Sequence, residues 1–253
     1  MSALAIGSIV FACVFGSALL GLFIGGALPE HHLSQDSKDV VKLGMGLIAT
    51  TSALVLGLLI ASAKTSFDTQ NDEVKQAAAN IVLLDRALAH YGPETKGARD
   101  QIRRAIAFRL ATTWPEDGSR AARLDTPETT PTVESVEDGI RGLSPSNDAQ
   151  RGLQSRALQI VGDLQRTRWL LFGGASNSMP TPFVVLLVFW ISLIFASFGL
   201  FAPRNATVVV VLFVCALSIA TSIFLVVELG RPFEGIMKIS SGPMRYAFAH
   251  LDQ

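Results

Sequence analysis

The chain has 253 residues, 49% of them apolar, and its 21 basic and 21 acidic residues balance to no net charge. This composition is typical of a membrane protein and lacks the basic excess on which nucleic-acid binding depends, so no nucleic-acid partner is expected. The two cysteines, Cys13 and Cys215, both lie in apolar stretches, which argues against the disulfide framework of a secreted domain.

Four stretches of the chain contain no Asp, Glu, Lys or Arg: residues 3–28, 43–63, 183–201 and 206–227. Each is long enough, or nearly so, to cross about 30 Å of hydrocarbon as a helix that rises about 1.5 Å per residue. The first has no basic segment before it and is too apolar for too long to be a typical signal peptide, so we expect it to remain as a span. The sequence therefore predicts an all-α, polytopic membrane protein with four transmembrane helices.

The spans divide the chain into two transmembrane hairpins, a helical insert between spans 2 and 3, and a tail. In chain order these parts are residues 1–63, 64–180, 181–229 and 230–253. More Lys and Arg residues flank the spans on the side of the insert and the tail (Lys64, Lys75, Arg166, Arg168, Arg231, Lys238, Arg245) than on the other side (Lys38, Lys42, Arg204). The positive-inside rule therefore predicts that the termini and the insert lie in the cytoplasm.

The connection between the first two spans, residues 29–42, is short and polar. Its adjacent His31 and His32 have divergent side chains on most backbones, and no second spaced His or Cys supports them, so we expect a solvated loop and no metal site. The connection at residues 202–205 contains Pro203, which favours a tight turn. No catalytic or phosphate-binding motif is present, so the sequence predicts neither an enzyme nor a cofactor.

Apolar residues recur at helical spacing in the insert. The first stripe runs from Val74 to Tyr91, and no Gly or Pro separates it from span 2, so one long helix is predicted to continue from the membrane to Gly92. Two further helices are predicted at about residues 94–113 and 149–172. Residues 115–148 are rich in Pro, Thr, Ser, Asp and Glu, which favours a flexible loop or a short irregular excursion. The stripes can pack against each other or against neighbouring subunits.

Span 2 contains three consecutive hydroxyl residues, Thr50, Thr51 and Ser52. Hydroxyl groups can replace part of an ion's hydration shell, so these residues are candidates for lining a polar path. Consecutive residues point around a helix, and at most one or two of the three can face a pore. The alternative is that the small residues of spans 1 and 2 serve only close helix packing.

The end of span 4 combines Glu228, Arg231, Pro232 and Glu234. An acidic group at the edge of the hydrocarbon is costly unless it is paired or hydrated, and Glu228 and Arg231 have the spacing of an ion pair within one helix. Pro232 is expected to end or kink the helix. These residues are predicted either to anchor the span at the interface or to form a charged ring at a pore mouth or a latch to the insert.

Three segments carry a family resemblance. They are Ser37–Gly44 continuing into Ala53–Leu59, Leu84–Glu94, and Glu228–Gly235 with the following Ile239–Ser241. On these segments the chain resembles DUF4239, a bacterial membrane family that is also described as bestrophin-like. The resemblance implies pairs of spans flanking a helical cytoplasmic domain, assembled as a homo-oligomer around a central pore that passes small anions.

Residues 43–63 contain no aromatic residue, whereas the bestrophin pore neck is lined by bulky apolar and aromatic side chains of the second span. No acidic cluster resembling the bestrophin calcium clasp is present either. The first hypothesis is an oligomeric ion channel of bestrophin-like type in the lipid bilayer. The alternative is a non-conducting, membrane-anchored scaffold or sensor that acts through its helical insert.

Overall fold

The computed structural model describes residues 2–27, 35–115, 129–176, 181–233 and 235–251, and its regular secondary structure in these ranges is helical. The α-helices are α1 (Ala3–Gly25), α2 (Gln35–Tyr91), α3 (Lys96–Thr113), α4 (Thr129–Arg141), α5 (Asp148–Ser176), α6 (Thr181–Phe201), α7 (Ala206–Leu229) and α8 (Gly242–Ala249). Four of them, α1, α2, α6 and α7, contain stretches long and apolar enough to cross a membrane. The predicted all-α membrane fold with four spans is therefore confirmed.

The chain forms two compact units. Unit 1 consists of Met1–Ser66 and Ser178–Gly230, and unit 2 consists of Phe67–Asn177 and Arg231–Gln253. The long helix α2 contributes its first part to unit 1 and its second part to unit 2. The predicted continuation of span 2 as one helix up to Gly92 is confirmed, because α2 is unbroken from Gln35 to Tyr91.

In unit 1, α1 packs along α6 and α7 around a core that includes Val14, Ala18, Leu187, Ala216 and Ile223. Small residues set the spacing between α1 and α6. A Cβ atom added to Gly21 would lie 2.1 Å from the carbonyl oxygen of Ala196, and one added to Gly199 would lie 2.0 Å from that of Ala18. Close helix packing through small residues is how helices associate in lipid, where the hydrophobic effect does not drive them together.

Arg204, in the turn between α6 and α7, binds the last carbonyl groups of α1. Its guanidinium donates hydrogen bonds to the carbonyl oxygen of Leu22 at 3.0 and 3.1 Å and to that of Phe23 at 3.0 Å. These carbonyl groups have no partner within their own helix, and a cation there also opposes the negative end of the helix dipole. Arg204 therefore caps the first span from the turn between α6 and α7.

Unit 2 is a helical domain formed by the second part of α2 together with α3, α4, α5 and α8. Its core buries the predicted stripe of α2, including Leu84 and Leu88, against residues such as Ile102, Ile140 and Val161. The tail is part of this core, because Ala247 and Leu251 are buried in the same cluster. The insert and the tail therefore fold as one unit.

The corner between α2 and α3 is fixed by a buried ion pair and by a glycine. Arg99 donates from Nε and Nη2 to the two carboxylate oxygens of Asp85 at 2.7 and 2.9 Å, and the Asp85 side chain is only 3% exposed. Gly92 follows α2 with a φ of 141°, a conformation that side chains strongly disfavour. Thr95 then donates its hydroxyl to the carbonyl oxygens of Leu88 and Gly92 at 2.7 and 2.8 Å.

The prediction of a loop at residues 115–148 is wrong for the second half of this segment, which contains α4. Val133, Val136 and Ile140 follow a spacing of three and four residues, and Pro131 lies in the first turn, where it costs no helical hydrogen bond. Val136 and Ile140 are buried in the unit 2 core, and this burial offsets the low helix propensity of the surrounding residues. The first half, residues 116–128, lies outside the described residues.

The predicted connection at residues 29–42 is shorter than expected, because α2 already begins at Gln35. Lys42 and Asp39 form an ion pair at 3.3 Å on this exposed first part of the helix, at a spacing that supports helices in water. Polar residues with good helical pairing therefore extend α2 before the apolar stretch. His31 and His32 lie outside the described residues.

Candidate functional site

The three hydroxyl residues of span 2 point to three different sides of α2, because successive residues of a helix are turned by about 100°. Thr50 and Thr51 are exposed, and Ser52 is buried at 5% exposure. The Thr50 hydroxyl donates to the carbonyl oxygen of Gly46 at 2.9 Å, and that of Thr51 donates to the carbonyl oxygen of Ile48 at 2.9 Å. Ser52 Oγ is buried and makes no hydrogen bond.

Ser52 shares its side of α2 with residues that are turned toward the rest of unit 1. Leu56 and Leu59 pack against the unit 1 core, and Ala63 is 4% exposed. The spacing of four, three and four residues from Ser52 to Ala63 keeps these side chains on one face. This face attaches α2 to the other helices of its own unit.

A second side of α2 carries four small residues, Gly46, Thr50, Ala53 and Gly57, again at spacings of four, three and four, and the exposed Leu54 borders them. All four are exposed, and a Cβ atom added to Gly46 or Gly57 would meet no atom within 4 Å. Gly21 of α1 differs, since it is in contact with α6. Packing within the chain therefore explains glycine at position 21 of span 1 and does not explain the glycines of span 2. We call Gly46, Thr50, Ala53 and Gly57 the small-residue face.

The third side of α2 carries Thr51 between two large leucines. Leu47 and Leu58 are each 70% exposed, and both lie close to the direction of Thr51 around the helix. Bulky exposed aliphatic side chains on a span are suited to lipid or to the apolar surface of another helix. Of the three hydroxyl residues, Thr50 alone belongs to the small-residue face.

The charged motif at the end of span 4 is divided between the two units. Glu228 is 2% exposed in the last turn of α7, in unit 1, and Gly230 ends that helix. Arg231, the first residue of unit 2 after α7, is half-buried and lies outside the helix. Pro232 follows and cannot continue the helix, as predicted. Glu234 lies outside the described residues.

The residues after Arg231 are held firmly within unit 2. The carbonyl oxygen of Pro232 accepts a hydrogen bond from the backbone N–H of Ile239 at 2.7 Å, which closes a loop. Phe233 is 6% exposed and packs edge-on against Trp114, with 5.9 Å between the ring centroids. Trp114 Nε1 donates to the carbonyl oxygen of Ile239 at 2.8 Å, so this loop, the end of α3 and the indole form one structure.

Glu73 is a titratable group of unit 2 that lies beyond the charge-free stretch of α2. Burial raises the pKa of its carboxyl group above its ordinary value of 4.5, because one of its oxygens is buried without a hydrogen-bond partner. The folded state therefore binds this proton more tightly than the unfolded state does. The neutral carboxyl group of Glu73 therefore stabilises the folded state at low pH, and this contribution is lost as the pH rises through the raised pKa.

We predict that Glu73→Gln removes this decline of stability with rising pH. Between pH 4.5 and neutrality, the melting temperature of the wild-type chain in detergent should decline more steeply than that of the variant. The measurement is thermal unfolding over a pH series, with the exposed Glu134→Gln as the control variant. Identical pH slopes for the wild-type chain and Glu73→Gln would contradict the prediction.

The described residues contain no group of three or more His, Cys, Asp or Glu side chains that could hold a metal ion. The same part of the chain has its free cysteines, Cys13 and Cys215, exposed on α1 and α7. Among the described residues, the features that bear on function are the small-residue face of α2 and the motif at the end of α7.

Comparison with known proteins adds independent information. The family model named Bestrophin-like domain matches residues 12–244. A crystal structure of a bacterial bestrophin homologue from Klebsiella pneumoniae with a Trp-to-Ala mutation matches with a TM-score of 0.63 at 15% identity, covering 99% of this chain and 97% of the other. The same homologue with an Ile-to-Thr mutation gives a TM-score of 0.62 at 15% identity, covering 94% of this chain and 98% of the other.

A further crystal structure, described as that of a membrane protein, has a TM-score of 0.60 at 15% identity and covers 96% of this chain and 97% of the other. At such low identity these likenesses establish the fold alone. No curated protein sequence matches the chain. Since the family model spans most of the chain, including the small-residue face and the motif at the end of span 4, the protein belongs to the bestrophin-like family.

Proposed function

We propose that this protein assembles as a homo-oligomer in the bacterial inner membrane and conducts small anions through a central pore. Membership of the bestrophin-like family and the fold shared with bacterial bestrophin homologues support this proposal. The observation that carries it is the small-residue face of α2, which none of the described residues of the same chain covers. Four helices with few polar side chains enclose little water, so several copies are needed to form the pore.

In this proposal the small-residue face of each subunit faces the pore axis. Small side chains leave room for water and ions, and the Thr50 hydroxyl supplies a polar group in the charge-free part of the helix. To bind an anion, the hydroxyl hydrogen must turn away from the carbonyl oxygen of Gly46. That carbonyl keeps its backbone partner in the helix, so the rotation costs little. Ser52 holds α2 to its own subunit, and Thr51 faces lipid or a neighbouring subunit.

The basic residues on the side of the insert orient the protein with unit 2 and both termini in the cytoplasm. Glu228 and Arg231 then lie at the cytoplasmic end of span 4. We propose that the two charges stabilise this end, and that Pro232 directs the chain away from the span while Glu234 adds to the acidic character of the motif. A buried acidic side chain at the edge of the hydrocarbon is costly unless it is compensated.

The substitution Thr50→Val tests whether the Thr50 hydroxyl lines the pore. We expect purified protein in planar bilayers with asymmetric chloride salt to give discrete current steps and a reversal potential shifted toward that of chloride. The substitution should lower the chloride-to-cation permeability ratio about tenfold, because a hydrogen bond to a charged group is worth about 1.5 kcal/mol or more. Valine is close to threonine in shape, so the backbone and the pore width are preserved.

The matched control is Thr221→Val in α7. Thr221 is also exposed in a span, and its hydroxyl donates to the carbonyl oxygen of Leu217 at 2.8 Å, much as that of Thr50 donates to Gly46. This variant should conduct as the wild-type protein does. Unchanged conductance and selectivity in Thr50→Val would show that Thr50 does not line the pore. Silent bilayers containing folded, inserted protein would contradict conduction itself.

A membrane-anchored scaffold or sensor is the second candidate function. It is favoured by the size and compactness of unit 2, which has a hydrophobic core of its own. If the protein is a scaffold, a chimaera of unit 2 with unrelated spans should retain its activity. If the protein is a channel, the same chimaera should lose its activity. The tail must be included in such a chimaera, because Ala247 and Leu251 complete the unit 2 core.

A further inference from the structure

A cavity of about 160 Å³ lies inside unit 2, between α2, α3, α4 and α5. Most of its lining is aliphatic, with Ile81, Leu84, Ile102, Val136 and Val161 among the contributing side chains. The geometry points to a binding site for a small carboxylate with an apolar body of about the size of a benzene ring. This site belongs to unit 2 alone, and the inference does not depend on whether the protein conducts ions.

The size of the cavity sets the size of the ligand. An enclosed apolar cavity of about 150 Å³ is known to hold benzene and to remain empty of water otherwise. The cavity in unit 2 is comparable in volume and has a similarly aliphatic lining, although it is partly open to its surroundings. A ligand body of six-membered-ring size therefore fits.

The polar side chains of the lining come from the later parts of two helices. Arg109 and Thr113 lie one helical turn apart near the end of α3, and Thr167 and Arg168 lie in the second half of α5. These two parts converge, because Trp114, just after α3, and Leu171 in α5 pack against the same cluster around Val74 and Phe233. The polar lining is therefore concentrated toward one end of the cavity.

Thr113 provides a second observation that indicates a ligand. Its side chain is 2% exposed, it lines the cavity, and its Oγ1 has no hydrogen-bond partner. A buried hydroxyl without a partner is uncommon and costs stability, so such a group calls for a specific explanation. A carboxylate oxygen at this end of the cavity would accept the hydrogen of the Thr113 hydroxyl.

The charge of the ligand follows from the two arginines. A guanidinium group is always protonated and forms charge-assisted hydrogen bonds to carboxylates, frequently as a two-point contact. Two guanidinium groups beside an aliphatic cavity therefore favour an anion with an apolar body over a neutral molecule of the same shape. Benzoate combines the required size and charge and serves as the probe, with benzyl alcohol as its neutral counterpart.

Trp114 offers a direct signal of binding because it lines the cavity. The chain contains three tryptophans, so Trp169→Phe and Trp190→Phe together leave Trp114 as the single fluorophore in the full-length protein. We expect benzoate to change the Trp114 emission saturably in detergent. Benzyl alcohol should bind at least about tenfold more weakly, since the charged hydrogen bonds are worth about 1.5 kcal/mol or more.

Two substitutions test the polar end. Arg109→Gln should weaken benzoate binding about tenfold or more, whereas Arg104→Gln, an exposed arginine of the same helix outside the cavity, should leave it unchanged. Thr113→Val preserves the side-chain shape and removes a hydroxyl that has no partner, so it should fold at least as well as the wild-type protein. It should nevertheless bind benzoate several-fold more weakly.

Three results would overturn the inference. The first is the absence of a saturable change in Trp114 emission with benzoate. The second is equal binding of benzyl alcohol, which would mean that the cavity selects shape without charge. The third is unchanged benzoate affinity in Thr113→Val, which remains informative even if Arg109→Gln fails to fold.

Discussion

Gly199→Ala is expected to separate α1 from α6 and to lower the free energy of unfolding of unit 1 by about 3 kcal/mol, the upper end of the range for overpacking. The new Cβ atom would lie 2.0 Å from the carbonyl oxygen of Ala18 and 2.8 Å from the backbone nitrogen of Leu22. Both are backbone atoms, so no side-chain rotation can relieve the overlap, and the two helices must move apart. The packing between α1 and α6 is then lost along much of their length.

The matched control is Gly16→Ala in α1, where the added Cβ atom would meet nothing within 4 Å. Helix propensity alone favours alanine by up to about 1 kcal/mol, so this variant should be as stable as the wild-type protein or slightly more stable. The measurement is the unfolding of both variants in detergent with increasing denaturing surfactant. Equal stability of Gly199→Ala and Gly16→Ala would contradict the close packing of α1 on α6.

Most of the fold can be predicted from local patterns in the sequence. The charge-free stretches predict the spans because the cost of burying charge in lipid exceeds every local preference. The stripe from Val74 to Tyr91 predicts the continuation of α2, since no Gly or Pro interrupts it. Helix α4 was missed because its composition is that of a loop, and only burial of Val136 and Ile140 in the unit 2 core makes it stable.

The candidate site could be predicted only in part. Thr50, Thr51 and Ser52 are recognisable as hydroxyl residues in a span, but their directions depend on which face of α2 packs against the other helices. Leu56, which packs inward, and Leu58, which is 70% exposed, are identical in hydrophobicity. No periodicity in this uniformly apolar stretch could therefore distinguish the attached face from the small-residue face.

The cavity in unit 2 depends on the packing of four helices, so its signal in the sequence is weaker than that of the spans. Thr167 and Arg168 lie between Leu164 and Leu171, at positions where the apolar stripe of α5 would place aliphatic residues. Polar residues on a predicted core face indicate either a local break in the stripe or a buried site. Both residues line the cavity within an unbroken helix, which is consistent with the proposed binding site.

The segment Leu84–Glu94 carries part of the family resemblance and the end of the predicted helix, and the structure gives it a further physical role. Asp85 forms the buried pair with Arg99, Gly92 permits the sharp turn, and Leu88 supplies a carbonyl oxygen to Thr95. Each of these residues fixes the direction in which α3 leaves α2. The corner therefore shapes the cavity, because α2 and α3 provide much of its lining.

Asp85→Ala is expected to lower the free energy of unfolding of unit 2 by about 3–5 kcal/mol, because it leaves a largely buried guanidinium without its carboxylate. Arg99 is 20% exposed and Asp85 is 3% exposed, so water can replace little of the lost interaction. The measurement is urea unfolding of the full-length chain in detergent, followed by the emission of Trp114 as the single tryptophan.

Asp72→Ala is the matched control, since Asp72 also lies in α2 and pairs with Lys75 at 2.8 Å, but its side chain is 73% exposed. An exposed pair of this kind contributes at most about 1 kcal/mol, so the control should unfold nearly as the wild-type chain does. Asp85→Ala combined with Arg99→Ala should recover part of the loss, because no buried charge is then left unpaired. Equal effects of Asp85→Ala and Asp72→Ala would show that the corner does not depend on its ion pair, and the cavity would then have to be held open by the aliphatic core alone.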